Sequence, residues 1–381
     1  MEKILVLNRV FFRLSETFIY RQVLALEKEF DVKLLANEFE NNIQTSVVEK
    51  YRLPKTSGFS DRILTAIVRR VFNIKLHFSL ATVIFISKLL RKEKISLIHA
   101  HYGWSGIQIF KIARLNQIPL IVSFHGMDAS GSLRHKQYKE QLPSLFNYAK
   151  AIIICSPHMV QTLSLQKWMY KVHLIPYGVD VNYFLPLERK EVQATIKILH
   201  AGRLVAKKGV PDLIRAYTSL RKKFNNIELH IVGDGEELEL CSAAAVQGGA
   251  GDSITFYGAQ PISNVKKLMQ ETDVFVLNSR TDDDGDMEGL PNALLEAMSC
   301  ERAIVSTWHA GIPQVVMDGV NGLLVPEKDN DALATALEKL ILNETLRKEL
   351  GQKGRQKIAE EFSLEQMGSA LRAVCRSSAK Q

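Results

Sequence analysis

Two glutamates eight positions apart, Glu288 and Glu296, frame the segment of this chain whose residue types point most directly to chemistry. Glu288 falls in a Gly/Pro loop. Pro291 reads as a first helical residue, because its missing N–H would be unpaired there in any case. Glu296 then lies about one and a half turns into an otherwise apolar helix of Ala293, Leu294, Leu295, Ala297 and Met298. A carboxylate in such a helix seldom serves solubility. The helix start offers free N–H groups and the positive end of a dipole, which suit a phosphate. One carboxylate in the loop, one in the helix and a phosphate-friendly terminus between them suit a nucleotide-sugar.

A second anion site is expected upstream, where Gly202-Arg203 and Lys207-Lys208-Gly209 join a strand to a helix. Glycines let the backbone turn tightly and approach a ligand. Arg203, with Lys207 or Lys208, would then face an anion at the helix start. The spacing is neither that of a Walker loop nor that of a dinucleotide turn. Beside Glu288 and Glu296, diphosphate binding is favoured over a loop of solvated bases. Gly233-Asp234-Gly235 ends another strand; it reads first as a turn with Asp234 as helix cap, its glycines shaping the floor of a cleft.

Three histidines fall at strand ends in the N-terminal half. His125 follows an apolar strand and precedes Gly126, a position from which it can act as acid, base or hydrogen-bond donor. His99 and His101 share one face of another strand, a spacing some metal ligands use, but no Cys or carboxylate nearby in sequence completes a site and no metal is expected. Asp282-Asp283-Asp284-Gly285-Asp286 resembles a calcium loop superficially; the twelfth position, which needs Glu, is Ala293, and a flexible acidic loop is expected. Ser15, Glu16 and Thr17 follow the first strand, either as a helix cap or as a loop that grips diphosphate or acceptor.

These residues need a scaffold. Uniformly apolar runs at Lys3–Leu7, Val32–Ala36, Leu97–Ala100, Leu120–Phe124, Ala151–Cys155 and Val172–Ile175 alternate with helical patterns such as Thr17–Glu29 and Ser105–Leu115. The rhythm repeats at Ile196–His200, Ile227–Val232, Ser253–Tyr257, Val274–Leu277 and Ala303–Ser306. Such runs predict parallel sheets covered on both faces, hence an α/β chain of two doubly wound Rossmann-like domains in series. The junction is placed at Pro176–Asp180, with domains 1–178 and 179–362. The last segment, from Leu333, reads as two or three helices broken near Phe362-Ser363, with Ser363 and Gln366 as a capping box. In open sheets of this type ligands bind beyond the carboxyl ends of the strands, where most of the motifs above fall.

At 381 residues the chain is long enough for two cores. Residues 1–179 hold 25 Lys and Arg against 12 Asp and Glu, while the remainder holds 24 against 29. The basic half suits an anionic membrane, nucleic acid or an anionic substrate. Arg62, Arg69, Arg70, Lys75, Lys88, Arg91, Lys92 and Lys94 lie among apolar residues at helical spacing. They read either as a helix on an anionic membrane surface or as a surface helix with snorkelling bases, and the charge asymmetry favours the membrane. The uncharged run Leu76–Ser87 is too short to span a bilayer, which takes roughly 20 residues. No nucleic-acid signature is present, and nucleic acid is not expected as a partner. The four widely spaced cysteines read as buried thiols of a cytosolic protein, and no signal peptide is visible.

Taken in order, Gly202-Arg203, Lys208-Gly209, Gly233-Asp234-Gly235 and Glu288 to Glu296 resemble the retaining glycosyltransferases of the GT-B fold, family 4, of the type that builds bacterial exopolysaccharide or lipopolysaccharide. Looser likeness extends through Ser15-Glu16-Thr17, His99 to Gly103, His125-Gly126 and Ile175 to Asp180; the first of these departs from the glycine pair of many relatives. The resemblance implies two domains facing across a cleft, an acceptor-binding N-terminal domain and a nucleotide-sugar-binding C-terminal one. It implies that a helix at 363–376 packs back on the first. Arg203, Lys208 and the N–H groups of Gly289 and Leu290 would hold the donor diphosphate. Glu296 would hold the ribose, with Gly233 beside the nucleotide, and Glu288 and His125 would meet the donor sugar. Ser15, Glu16, Thr17 and His101 are candidates for the loop and acceptor side.

The implied reaction moves a sugar from a UDP- or GDP-sugar to a lipid-linked saccharide with retention, without cofactor or metal, at the inner face of the cytoplasmic membrane. A GT-B enzyme with a soluble acceptor, a nucleotide-sugar epimerase and a non-catalytic binding protein are the rival readings.

Overall fold

In the computed structural model, residues 1–13, 16–40, 48–54, 63, 65–66, 77–187 and 195–379 are described. They form two units, Met1–Pro176 with Met367–Gln381, and Tyr177–Gln366.

The first unit is built on a seven-stranded sheet in the order β5-β3-β1-β6-β7-β8-β9. Its strands are β1 (Lys3–Leu7), β3 (Asp31–Ala36), β5 (Glu49–Arg52), β6 (Leu97–His101), β7 (Leu120–Phe124), β8 (Ala151–Ile154) and β9 (Val172–Leu174). Every pairing is parallel. All residues of β6, β7 and β8 are buried, as expected for strands covered on both faces. The chain runs outward from β1 through β3 to β5, then returns to the other side of β1 with β6. That reversal opens a crevice between the carboxyl ends of β1 and β6. A short parallel ladder of β2 (Val10–Phe11) and β4 (Glu38–Phe39) lies beside it in sequence.

The second unit repeats the plan with six parallel strands in the order β12-β11-β10-β13-β14-β15. These are β10 (Ile196–Ala201), β11 (Ile227–Val232), β12 (Ile254–Phe256), β13 (Val274–Leu277), β14 (Ala303–Thr307) and β15 (Leu323–Val325). Its switch point lies between β10 and β13. The core joins Ile198, Leu229, Ile231, Val274 and Val276 of the sheet to Leu213, Tyr217 and Leu337 of the covering helices. Tyr217 is fully buried, and its hydroxyl donates to Ile227 O at 3.0 Å and Ser253 O at 3.1 Å, so its burial leaves no polar group unpaired.

The strands follow the apolar runs to within a residue or two. β2, β4, β5 and β15 lie outside those runs. β5 reads Glu-Lys-Tyr-Arg on a sheet edge, and the others are two or three residues long, so none carries a long apolar signal. The chain ends in three helices, Asn330–Leu342, Glu344–Glu361 and Leu364–Ala379. The Ser363 hydroxyl accepts the Gln366 N–H at 3.3 Å, the first half of the capping box. From Met367 onward the last helix belongs to the first unit, where Arg372 donates to Ala25 O at 3.2 Å and Arg376 pairs with Glu29 at 3.1 Å.

Of the basic segment, Arg62, Arg69, Arg70 and Lys75 lie outside the described residues. Lys88, Arg91 and Lys92 lie on helix Leu80–Lys92, started by Ser79, whose hydroxyl accepts the Thr82 N–H, and Lys94 follows that helix. Val83, Ile86, Leu89 and Leu90 are buried in the first unit, while Lys88, Arg91 and Lys92 are exposed. No described helix is long and apolar enough to cross a membrane. All four cysteines are buried free thiols.

Candidate active site

In the second unit the site grows from the switch point. β10 ends at Ala201, and the chain passes through Gly202, Arg203 and a 3-10 turn, Ala206–Lys208, into helix Val210–Arg221. Gly209 joins turn to helix at φ 63°, and a Cβ there would lie 2.7 Å from Asn278 O. Only glycine fits, and it lets the loop after β10 lie against the loop after β13. Asn278 fastens the two, its side-chain amide donating to Gly209 O at 2.7 Å, and Arg280 N–H donates to Lys207 O at 2.8 Å. Arg280 further braces the turn through Ala206 O and Asp212.

This frame delivers two buried lysines to two carboxylates. Lys208 Nζ lies 2.7 Å from Glu288 Oε1, and Lys207 Nζ lies 2.9 Å from Asp286 Oδ2. Burial by itself would push the Glu288 carboxyl up, but the Lys208 and Lys207 ammonium groups outweigh it and hold it at about 2. Glu288 is therefore a carboxylate at any physiological pH, suited to accept hydrogen bonds or stabilise positive charge, and not to donate a proton. Arg203 is exposed, and its guanidinium has no partner among the described residues.

Helix Asn292–Ser299 begins one residue later than expected. Pro291 precedes it with ψ 118°, extended rather than helical, and no side chain caps the helix. Gly289 and Leu290 are buried, and their N–H groups meet no acceptor among the described residues. Buried backbone donors left open before a helix start are suited to an anion. Glu296 is buried in the second turn of that helix.

Gly233 has φ 137°, and a Cβ there would fall 1.8 Å from Gly202 O. The turn after β11 is thus pressed against the loop after β10, which Leu204 N–H ties down by donating to Asp234 O at 2.9 Å. Asp234 does not cap the next helix. That helix, Leu238–Gln247, starts further along the chain, and the Asp234 carboxylate accepts the N–H of Gly235 instead. The acidic stretch closes on itself, with Asp286 N–H donating to Asp282 Oδ1 at 2.7 Å. No group of three or more His, Cys, Asp or Glu among the described residues is arranged to hold a metal.

In the first unit the three histidines form one buried chain of rings at the carboxyl ends of β6 and β7. His99 bonds Ser123 at 2.7 Å, and His101 Nδ1 lies 3.0 Å from His125 Nε2. Burial lowers all three, His99 to about 4 and His125 to about 3, so the rings are neutral near pH 7. Asp128 fixes the turn after β7: its carboxylate accepts the N–H groups of His125 at 2.8 Å, Gly126 at 3.2 Å and Gly103 at 2.9 Å. Burial raises that carboxyl to about 6 against the pull of those donors. Phe18 and Tyr102 flank the His125 ring, each at 4.8 Å between centroids. Glu16 accepts from Asn8, which follows β1, at 3.3 Å, and burial raises its carboxyl. Glu16, not Ser15 or Thr17, occupies the cap position of helix Thr17–Glu27, and it makes no capping bond. Ser15 lies outside the described residues.

Four participants are not among the residues that spacing singles out: Asp128, His200, His309 and Glu327. His200 is buried at the end of β10, its Nδ1 facing Val276 O at 3.2 Å, and burial lowers it to about 3. His309 follows β14 and touches Glu288 through the backbone. Both histidines stand at strand ends, the position that marks His125, so the signal is present in the sequence.

Known proteins resemble this chain in sequence and in fold. Residues 188–357 match the family model described as glycosyl transferases group 1, and residues 15–183 that of glycosyltransferase family 4. The putative colanic acid biosynthesis glycosyltransferase WcaL of Salmonella typhimurium is 31% identical over 280 residues, 72% of this chain and 69% of that one. The chain belongs to the family 4, group 1 glycosyltransferases. This glycosyltransferase is also 29% identical to WcaL of Escherichia coli over 85% of its length and 86% of that protein's. It is 31% identical to the amylovoran biosynthesis glycosyltransferase AmsK of Erwinia amylovora over 63% of its length, a stretch that spans only 60% of AmsK. Among solved structures, sucrose-phosphate synthase from Thermosynechococcus elongatus superposes with a TM-score of 0.78 at 18% identity, covering 99% of both chains. Anabaena HepE in complex with UDP gives 0.78 at 15% identity, covering 99% of this chain and 100% of that one. The shared architecture is the GT-B fold, two Rossmann-like domains.

Proposed function

We propose that this glycosyltransferase moves a sugar from a UDP- or GDP-sugar to a lipid-linked saccharide, with retention of configuration, during assembly of a bacterial surface polysaccharide. The observation that carries the reading is the buried Lys208–Glu288 pair beside the open N–H groups of Gly289 and Leu290 at the switch point. The names of WcaL and AmsK support the polysaccharide, and the UDP complex of HepE supports the donor class.

In this reaction the bond from the anomeric carbon to the diphosphate breaks, and the nucleoside diphosphate leaves with the electron pair. Lys208, Arg203 and the N–H groups at 289–290 stabilise the charge that grows on it, by preorganised electrostatics and without a metal. Glu296 anchors the ribose and Gly233 lets the nucleotide approach the backbone. Glu288, ionised, meets the sugar hydroxyls and the positive charge of the oxocarbenium-like centre. The acceptor hydroxyl bonds to the anomeric carbon on the face the diphosphate leaves, and its proton passes to a diphosphate oxygen. His125, neutral, is assigned a hydrogen bond to a sugar hydroxyl; Glu16, Thr17 and His101 are assigned to the acceptor side.

A mass-spectrometric screen of UDP- and GDP-sugars with a bacterial lipid extract tests the reading. A sugar-sized mass increase on a lipid-linked saccharide is expected. Transfer to water-soluble glycosides alone would replace the lipid acceptor, and conversion of donor without acceptor would point to an epimerase.

A further inference from the structure

Glu288 is held at its carboxylate by Lys208 and by the Ser279 hydroxyl, which donates to Oε1 at 3.4 Å, and at its backbone by His309. The Glu288 N–H donates to His309 Nε2 at 3.1 Å, and His309 Nδ1 lies 2.7 Å from Glu327 Oε1. The His309 ring is fully buried. A backbone N–H can only donate, so Nε2 bears a lone pair, and the single ring proton sits on Nδ1 and is donated to Glu327. The other oxygen of Glu327 accepts the Thr281 N–H at 2.8 Å. One carboxylate thus ties both ends of the loop 281–288, Thr281 directly and Glu288 through the imidazole.

The loop between them is closed locally. Asp286 N–H donates to Asp282 Oδ1, and Lys207 holds Asp286. His309, two residues past the end of β14 at Thr307, links the Glu288 end of the loop to that strand. Removing the imidazole would release the Glu288 N–H from this link while leaving the Lys208 pair in place.

We propose that His309, held in its Nδ1–H tautomer by Glu327, is a positioning residue that aims the Glu288 carboxylate at the donor sugar. The inference rests on the reading of Glu288 as the carboxylate that meets that sugar. His309 touches neither sugar nor nucleotide; it sets the peptide from which Glu288 projects. Misplacing a reacting group by about 1 Å costs about 100-fold in rate, so the brace acts on turnover and not on nucleotide affinity.

The test compares His309→Leu, His309→Gln and Glu288→Gln with the wild type. Nucleotide release is followed from UDP-glucose, UDP-galactose, GDP-mannose and GDP-fucose in the presence of the lipid extract, and UDP and GDP binding is measured by calorimetry. In His309→Leu, kcat is expected to fall about 10- to 100-fold with KM and nucleotide Kd within about twofold of wild type. His309→Gln, which restores an acceptor for the Glu288 N–H, is expected to recover most of the loss. Wild-type kcat in His309→Leu, with kcat lost in Glu288→Gln, would overturn the positioning role alone. Wild-type kcat in Glu288→Gln would overturn the underlying reading. Should His309→Leu fail to fold, ¹⁵N-histidine spectra of the wild type decide the matter. A protonated Nδ1 with an unprotonated Nε2 at His309 is expected, and the opposite tautomer or an imidazolium would overturn the proposal.

Discussion

At the scale of single residues, the site sets an exposed charge, Arg203, apart from the buried charges of Lys208 and Glu288. Lys208 and Glu288 form a buried pair, and removing one member of such a pair strands the other, at a cost of about 3–5 kcal/mol. Lys208→Met is therefore expected to lower the unfolding free energy by about that much as well as weaken nucleotide binding, measured by denaturant titration and calorimetry. Arg203 is exposed and unpaired among the described residues. Arg203→Ala should weaken UDP or GDP binding while changing stability by no more than about 0.5 kcal/mol. Equal stability losses in both variants would contradict this division. The depressed value of Glu288 has a sign as well. Its contribution to stability is in place above 4.5, the ordinary carboxyl value, and is lost as pH falls toward 2. Activity lost between pH 7 and 5 must then come from another group. Glu288 and Lys208 are legible in sequence as types and spacing. That they touch is not, because the long interval between them includes several helix–strand crossovers that only the sheet order resolves.

At the scale of elements, the strands are legible because parallel strands buried on both faces are uniformly apolar. What interrupts them carries the information: His99, His101 and Ser123 are polar residues inside fully buried strands. Burial depresses His99, His101, His125 and His200 below their ordinary 6.5. On unfolding each takes up a proton below that pH, so their stabilisation is whole above 6.5 and drains away as pH falls through the folded values. Each can contribute up to about 1.4 kcal/mol per pH unit in that window. Denaturant midpoints measured from pH 7.5 to 5 should fall steadily, and less steeply in a His99→Gln variant. Loops are less legible. Asp234 and Pro291 have the residue types of a cap and a first helical position, but tertiary contacts move both out of those roles. Asp234 is spent on its own turn, and Pro291 ends the Glu288 loop in extended form. Gly233 reads as an ordinary turn glycine in sequence, yet it lies against Gly202 O. Gly233→Ala is expected to destabilise by about 3 kcal/mol or more, by overpacking and backbone strain together; a change below about 1 kcal/mol would show that the loop relaxes freely.

At the scale of the whole molecule, the uneven charge of the two halves is visible in composition alone. The apolar side of helix Leu80–Lys92 is consumed by the core, so Lys88, Arg91 and Lys92 stand on a packed helix and not on a free amphipathic one. If the basic half meets an anionic bilayer, it does so by charge, at about 1 kcal/mol per base. Changing Arg69, Arg70, Arg91 and Lys92 together to Ser should then reduce binding to phosphatidylglycerol-containing vesicles by more than about tenfold; unaltered binding would remove the membrane from the account. Two Rossmann-like domains and the family follow from motifs in order, but the choice of sugar and acceptor depends on side-chain shapes that no motif encodes. The central claim is that the Lys208–Glu288 corner is where the donor reacts. Its most direct test is mass-spectrometric transfer from UDP- and GDP-sugars to a lipid-linked saccharide by the wild type and by Glu288→Ala. Transfer by the wild type and its loss in a folded Glu288→Ala protein that still binds the nucleoside diphosphate is the predicted result, and intact transfer by Glu288→Ala would contradict it.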